Sequence, residues 1–168
     1  MATAAERPTV EQETADFDAF YAATAASLVR QVHAFTGDLA EAQDCVQEAF
    51  ARAWQRWSTV RHYDAPAAWV RQVACRLAVS RFRRVQLGRG LLPRTTVVPE
   101  LDPSRVALVA ALRQLPEAQR LAIVLHHVAD LSVEEVAAET GAPVGTVKAR
   151  LSRGRAALAL LLSEEPQR

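Results

Sequence analysis

The sequence predicts an all-α protein: two small helical domains joined by a flexible linker, the second domain ending in a helix-turn-helix. Three observations predict it. Apolar side chains recur at helical spacing through most of the 168 residues, and the one short β-like run, Thr95–Val98, is too brief to matter. Residues 86–103, QLGRGLLPRTTVVPELDP, place two glycines and three prolines where that periodicity lapses. Residues 131–155, LSVEEVAAETGAPVGTVKARLSRGR, read as two short helices around a tight turn, the second heavily cationic.

Residues 1–13 are polar and Ala-rich, and are expected to form a disordered leader. The first domain then covers residues 14–85. Its first helix is expected from about Asp16 to Thr36, with Phe17, Phe20, Tyr21, Thr24, Leu28, Val32 and Phe35 as the buried stripe and Gly37 as its stop. Asp38, with Glu41 three residues on, caps a second helix. Leu39, Ala42, Cys45, Val46, Ala49, Phe50, Ala53, Trp54 and Trp57 form its wide apolar face. The opposite face carries Asp44, Gln47, Glu48, Arg52 and Gln55. Ser58–Ala65 is a loop holding Arg61, His62 and Tyr63, residue types suited to nucleic acid. Pro66 suits the first position of a third helix, anchored by Trp69, Val70, Val73, Ala74 and Leu77. Gln72, Arg76, Ser80 and Arg83 fall on one side of that helix, and Arg71, Arg81 and Arg84 add charge nearby. Such a basic ridge with an aromatic at its start suits a phosphate backbone and unstacked bases.

The linker covers residues 86–103, the second domain residues 104–163, and residues 164–168 form a frayed tail. Ser104–Leu115 is a helix that Pro116 breaks; another follows through Leu121, Val124, Leu125 and Val128. Ser132 and Glu135 make a capping box, Gly141 suits a left-handed stop, and Pro143 keeps the first helix of the motif from running on. Ala137, Gly141 and Val147 have helix-turn-helix spacing: a small residue at the crossing, a turn, and a plug between the helices. Val147, Leu151 and Leu158 are expected to point inward, with Gly154 permitting close helix approach. Lys148, Ala149, Ser152 and Arg153 share the opposite face and are the candidates for base edges; Thr146, Arg150 and Arg155 complete the DNA-binding set, the two arginines on phosphates.

The formal net charge of +1 conceals a segregation. Residues 1–70 carry ten acids and five bases, while residues 71–94 carry seven arginines and no acid. One acidic face for a protein partner and one basic face for nucleic acid would account for this. Cys45 and Cys75 fit buried thiols in a reducing compartment better than a disulfide or metal pair. The N-terminus lacks an apolar signal core, and the longest apolar runs, such as Ala156–Leu162, are too short to span a bilayer. A cytoplasmic protein without membrane insertion is therefore expected. The adjacent His126 and His127 point to different helix faces, and His33 and His62 add no ligand spacing, so no metal site is expected. No nucleophile elbow or phosphate-cradling loop occurs, and neither catalysis nor a cofactor is expected.

With both halves read, the chain resembles bacterial RNA polymerase sigma factors of the extracytoplasmic-function (ECF) group. The resemblance rests on DFDAFYAATAASLVRQVHAFTGD, AEAQDCVQEAFARAWQRW and PAAWVRQVACRLAVSRFRR, followed across the linker by LRQLPEAQRLAIVLHHVADLSVEEVAAETGAPVGTVKARLSRGRAAL. It implies that the first domain is sigma domain 2, binding core polymerase through Asp44, Gln47, Glu48, Arg52 and Gln55. It implies contact with the promoter −10 element, and help in melting it, through Arg61, His62, Tyr63, Trp69, Gln72, Arg76, Ser80, Arg83 and Arg84. The second domain is then sigma domain 4, whose helix-turn-helix reads the −35 element. An anti-sigma factor is an implied partner, beside core RNA polymerase and promoter DNA, and the free chain is expected to be a monomer. The chain departs from the family at Cys75-Arg76-Leu77-Ala78, where Arg-Asn-Leu-Ala is frequent, at Ser80, where Asp is common, and at Gln43-Asp44, where an acidic pair is usual. The rival readings are a helix-turn-helix repressor or activator acting without polymerase, and an enzyme or interaction module with a basic surface helix.

Overall fold

The computed structural model describes residues 9–85, 87 and 102–163. The rest of the expected leader, almost all of the linker and the 164–168 tail lie outside the described residues. Every regular element among the described residues is helical. Helix α1 runs Val10–Thr36, α2 Leu39–Trp54, α3 Trp57–Val60 and α4 Pro66–Arg84. In the second half come α5 Pro103–Gln114, α6 Glu117–Ile123, a π-helical turn Val124–Val128, α7 Val133–Thr140 and α8 Val144–Ser163.

Two boundaries differ from the sequence reading for identifiable reasons. Helix α1 starts at Val10 rather than Asp16, inside the expected leader. Thr9 and Gln12 form a capping box: the Gln12 amide donates to Thr9 Oγ1 at 3.3 Å and the Thr9 amide to Gln12 Oε1 at 2.8 Å. Helix α2 stops at Trp54, and the expected run through Trp57 is broken at Gln55–Arg56. The break turns Trp57 inward, 5% exposed, against the rings of Phe17 and Phe20, both at 5.1 Å. Trp54, expected in the core, stays 42% exposed with Phe17 at 5.0 Å. The loop expected from Ser58 begins within the single turn of α3. At the other end of the linker, Asp102 accepts from the Ser104 amide at 3.1 Å, so Asp102 and Pro103 open α5.

Helices α1, α2 and α4 pack on one another, and α8 gathers α5, α6 and α7. The motif at the end of the chain is built as its spacing requires. Ser132 and Glu135 close the capping box, Gly141 sits at φ 65° as the α7 stop, and Val136, Val147 and Leu151 are buried. Gly154 abuts α6: a Cβ there would lie 2.9 Å from Ile123 Cγ1.

The two halves are not merely tethered. Leu28, Val32 and Phe35 of α1 belong to the same buried cluster as Leu112, Leu125 and Leu151 of the second half. At the centre of this junction Arg120 of α6 is 2% exposed. It donates from Nη1 to the Phe35 carbonyl at 3.0 Å and from Nη2 to the Leu115 carbonyl at 3.4 Å. Its guanidinium also lies 4.6 Å from the centroid of the Phe82 ring and 5.3 Å from that of Phe35. Burial, then Arg113 nearby, push its pKa down, but an arginine keeps its charge regardless. Arg113 of α5 covers Gly37, where a Cβ would overlap it. Both cations thus meet the C-terminal end of α1, the negative pole of its dipole.

Gly154→Val should force α6 and α8 apart and cost about 1–3 kcal/mol, as overpacking does. Thermal unfolding of the variant checks this; an unchanged Tm would mean that the contact with Ile123 relaxes freely.

Candidate nucleic-acid interface

Helix α8 has two sharply different sides. Val147, Leu151 and Gly154 are buried against α6 and α7. Thr146, Lys148, Ser152, Arg153 and Arg155 are exposed, and Ala149 and Arg150 are half-buried beside them. The four residues expected on one face, Lys148, Ala149, Ser152 and Arg153, are therefore brought together on the side away from the core. A helix with its first turns projecting past a buried root is what a major groove admits.

The α4 set divides. Arg76, Ser80, Arg83 and Arg84 are exposed along one side, with Gln72 half-buried above them. His62 and Tyr63 are exposed in the turn before α4, whereas Trp69 packs against the core with only part of its ring accessible. Arg61 is half-buried and ion-paired with Asp16 of α1 at 3.2 Å, so it braces the loop as well as adding charge. On α2, Asp44, Gln47 and Arg52 are exposed, as is Gln55 just past its end, and Glu48 lies half-buried between Arg52 at 2.5 Å and Arg81 of α4 at 3.0 Å.

The exposed side of α4 does not open freely to solvent. It faces the second half across a cleft of about 650 Å³ lined by Gln72, Arg76 and Arg83 on one wall and Glu139, Thr140 and Gly141 on the other. Arg71 donates from Nε at 3.0 Å and from Nη2 at 2.5 Å to Glu139 Oε1 of α7. Arg83 makes a forked contact with Glu117 of α6, Nη2 to Oε1 at 2.8 Å and Nε to each oxygen at 3.2 Å. The Glu117 carboxylate raises the Arg83 pKa by that hydrogen bond. Sequence reasoning missed Glu117, Arg120 and Glu139. Each looks like an ordinary polar position on a helix, and only the docking of the two halves gives it a partner.

His126 and His127 meet edge to face, 4.6 Å between ring centroids, because they lie in the π-helical turn. His126 Nδ1 is 2.6 Å from the Leu131 carbonyl, which bridges the turn leading to α7. Burial, then the neighbouring His126, lower the pKa of His127. No cluster of three or more metal-ligating side chains occurs among the described residues.

Residues 20–87 match Sigma-70 region 2, and residues 105–158 match Sigma-70, region 4. The ECF RNA polymerase sigma factor SigL of Mycobacterium tuberculosis is 33% identical over 162 residues, covering 90% of this chain and 92% of that protein. The chain belongs to the ECF group of the sigma-70 family. The RNA polymerase sigma-E factor of Streptomyces coelicolor is 30% identical over 151 residues, covering 87% of this chain and 85% of its own. Among solved structures, the sigma factor RpoE of Bartonella quintana, in complex with the anti-sigma factor NepR, superposes with a TM-score of 0.75 at 25% identity, over 90% of this chain and 99% of that one. CnrH, in complex with the cytosolic domain of CnrY, shares the fold, with a TM-score of 0.65 at 24% identity over 91% of each chain. As a sigma factor, the protein is a transcription initiation factor that binds core RNA polymerase and directs it to promoter DNA. No helix among the described residues is long and apolar enough to cross a membrane.

Cys75 lies under the cleft and Cys45 on the buried face of α2, both free. Burial pushes the Cys45 thiol up to about 11 and, with Glu139 adding to it, the Cys75 thiol up to about 12. A thiol-specific reagent at pH 8 should therefore label neither in the folded sigma factor and both in denaturant. Rapid labelling of one thiol under native conditions would contradict the burial described.

Proposed function

We propose that residues 104–163 read the −35 element through α8, and that residues 14–85 bind core polymerase and capture the −10 element. The observation that carries the first part is the division of α8: Lys148, Ala149, Ser152 and Arg153 stand away from a root formed by Val147, Leu151 and Gly154. Arg153 and Lys148 have the reach and donors for guanine edges. Arg150 and Arg155 flank them as phosphate contacts, and Thr146 sits in the first turn, where a backbone phosphate meets a helix N-terminus.

On α4, Gln72, Arg76, Ser80, Arg83 and Arg84 form the wall on which a separated strand would lie, with His62, Tyr63 and Arg61 at its upstream end and Trp69 supporting from below. Melting follows when the open strand binds better than the duplex. Asp44, Gln47, Glu48, Arg52 and Gln55 form the polymerase-binding face of α2. Their mixed charge and exposure suit a partner helix, and Glu48, held by Arg52 and Arg81, is the fixed point of that face.

The protein itself makes and breaks no bond; the chemistry belongs to polymerase. We further infer a cytoplasmic protein, monomeric when free, that is held by an anti-sigma factor. The complexes of RpoE with NepR and of CnrH with CnrY motivate that partner. A repressor or activator acting without polymerase would leave the exposed face of α2 without a role.

Run-off transcription with core polymerase should give discrete start sites that depend on the added protein. Arg153→Ala should weaken −35 recognition by about 1–3 kcal/mol, the worth of a bidentate base contact. Equal transcription across −35 variants by wild type and Arg153→Ala would remove that side chain from the readout. Asp44→Arg should weaken holoenzyme assembly, measured by co-elution with core polymerase, while leaving the thermal unfolding of the free chain unchanged. Undiminished co-elution would move the polymerase contact elsewhere.

A further inference from the structure

We propose that a second cavity, between the end of α4 and the α5–α6 junction, binds a nucleoside phosphate, with the phosphates drawn to Arg113 and Arg120 and the base to the apolar wall at Phe82. The cavity measures about 690 Å³, a size typical of small-molecule sites, which run from roughly 300 to 1,000 Å³. It shares Arg83 with the α4 ridge and no residue with α8 or with the polymerase-binding face of α2. Its occupant is therefore independent of the promoter reading.

Charge is the reason to expect an anion. Three guanidinium groups line the cavity, Arg83, Arg113 and Arg120, against the single carboxylate of Glu117. That carboxylate is already committed, since Arg83 takes both its oxygens in a forked contact. Among the described residues no carboxylate forms an ion pair with Arg113 or Arg120. The cations lie at increasing depth: Arg83 is exposed, Arg113 half-buried and Arg120 only 2% exposed. Arg120 keeps an orphan as well, because Nε is buried with no hydrogen-bond partner. A buried charge is costly unless it is paired. Two neighbouring cations with no counter-charge also focus a positive field into the cavity they line.

The rest of the lining says which anion. A bare oxyanion would fill a small part of about 690 Å³. Phe82, half-buried, and Leu87, exposed, supply apolar surface on the side given by the first half of the chain. Gln114, exposed at the end of α5, adds an amide that can both donate and accept. A few polar groups converging beside an apolar wall make a ligand site rather than a counter-ion site. Guanidinium forks match phosphate oxygens in pairs, and a flat base has the area to cover an aromatic edge and a leucine. A nucleoside phosphate carries both parts. Because the wall comes from one half and the two unpaired cations from the other, an occupant touches both and should stabilise the chain as described.

The test uses the full chain, free of nucleic acid and polymerase, titrated calorimetrically with ADP in about 0.15 M salt, where weak surface attraction is screened. ADP should bind one site per chain, and should raise Tm by about 5 °C or more at a hundredfold excess over its Kd. Pyrophosphate should bind at least tenfold more weakly, since it lacks the base. Arg113→Gln should weaken ADP binding at least tenfold. Gln114→Glu, an exposed substitution that leaves the packing alone, should weaken it at least threefold by adding an acid at the rim. Arg76→Gln removes a cation from the α4 ridge outside the cavity and should leave ADP affinity within twofold. No binding of millimolar ADP, or affinity within twofold of wild type in both Arg113→Gln and Gln114→Glu, would overturn the site. Equal affinity for pyrophosphate and ADP would overturn the role of the apolar wall and with it the ligand class. A loss in Arg76→Gln as large as in Arg113→Gln would put the nucleotide on the promoter-reading ridge instead, and would overturn the proposal while leaving the reading of that ridge intact.

Discussion

A single buried guanidinium holds this molecule in the form described. Arg120 reaches from α6 to a main-chain carbonyl at the end of α1 and lies against the faces of both Phe35 and Phe82. Among the described residues no carboxylate pairs with it directly, and Glu117 acts on it only through space. Its compensation is a carbonyl-rich helix end and two aromatic faces, which tolerate a weakly hydrated planar cation where they would not tolerate an ammonium. Nε remains without a partner. Together with the apolar cluster around it, that side chain joins the two halves, and the cleft along α4 and the pairings of Arg71 and Arg83 are formed across the same junction.

Much of the fold was legible because it follows local rules. The capping box at Ser132–Glu135, the glycine at the end of α7, the cap at Asp38 and the proline opening α4 are each satisfied within a few residues, so spacing alone reveals them. The buried root of α8 was legible for the same reason: Val147 and Leu151 are one turn apart. Boundaries were less legible where a neighbour decides them. Trp57 continues the helical stripe of α2 on paper, yet the chain breaks before it because Phe17 and Phe20 offer a better seat. The start of α1 was hidden because a Thr–Gln capping box resembles ordinary polar sequence.

The candidate surfaces were legible as composition and spacing, not as accessibility. Arginines on one side of α4 can be counted from the sequence. That Glu117 and Glu139 of the other half pair with two of the α4 arginines cannot, since the partners lie 34 and 68 residues apart. Arg61 illustrates the same limit: its charge suggests nucleic acid, and its pairing with Asp16 adds a bracing role that no spacing rule conveys.

The shared core carries a consequence for every partner of this chain. A partner must either fit around this packed form or part the halves, which would expose Phe35, Phe82 and Leu112 to water and scale its apparent affinity down by the population of the parted form. Arg120 lies in that shared core rather than on any of the proposed promoter or polymerase contact surfaces. Affinity for polymerase can therefore be tuned from inside the fold, by residues that never meet the enzyme.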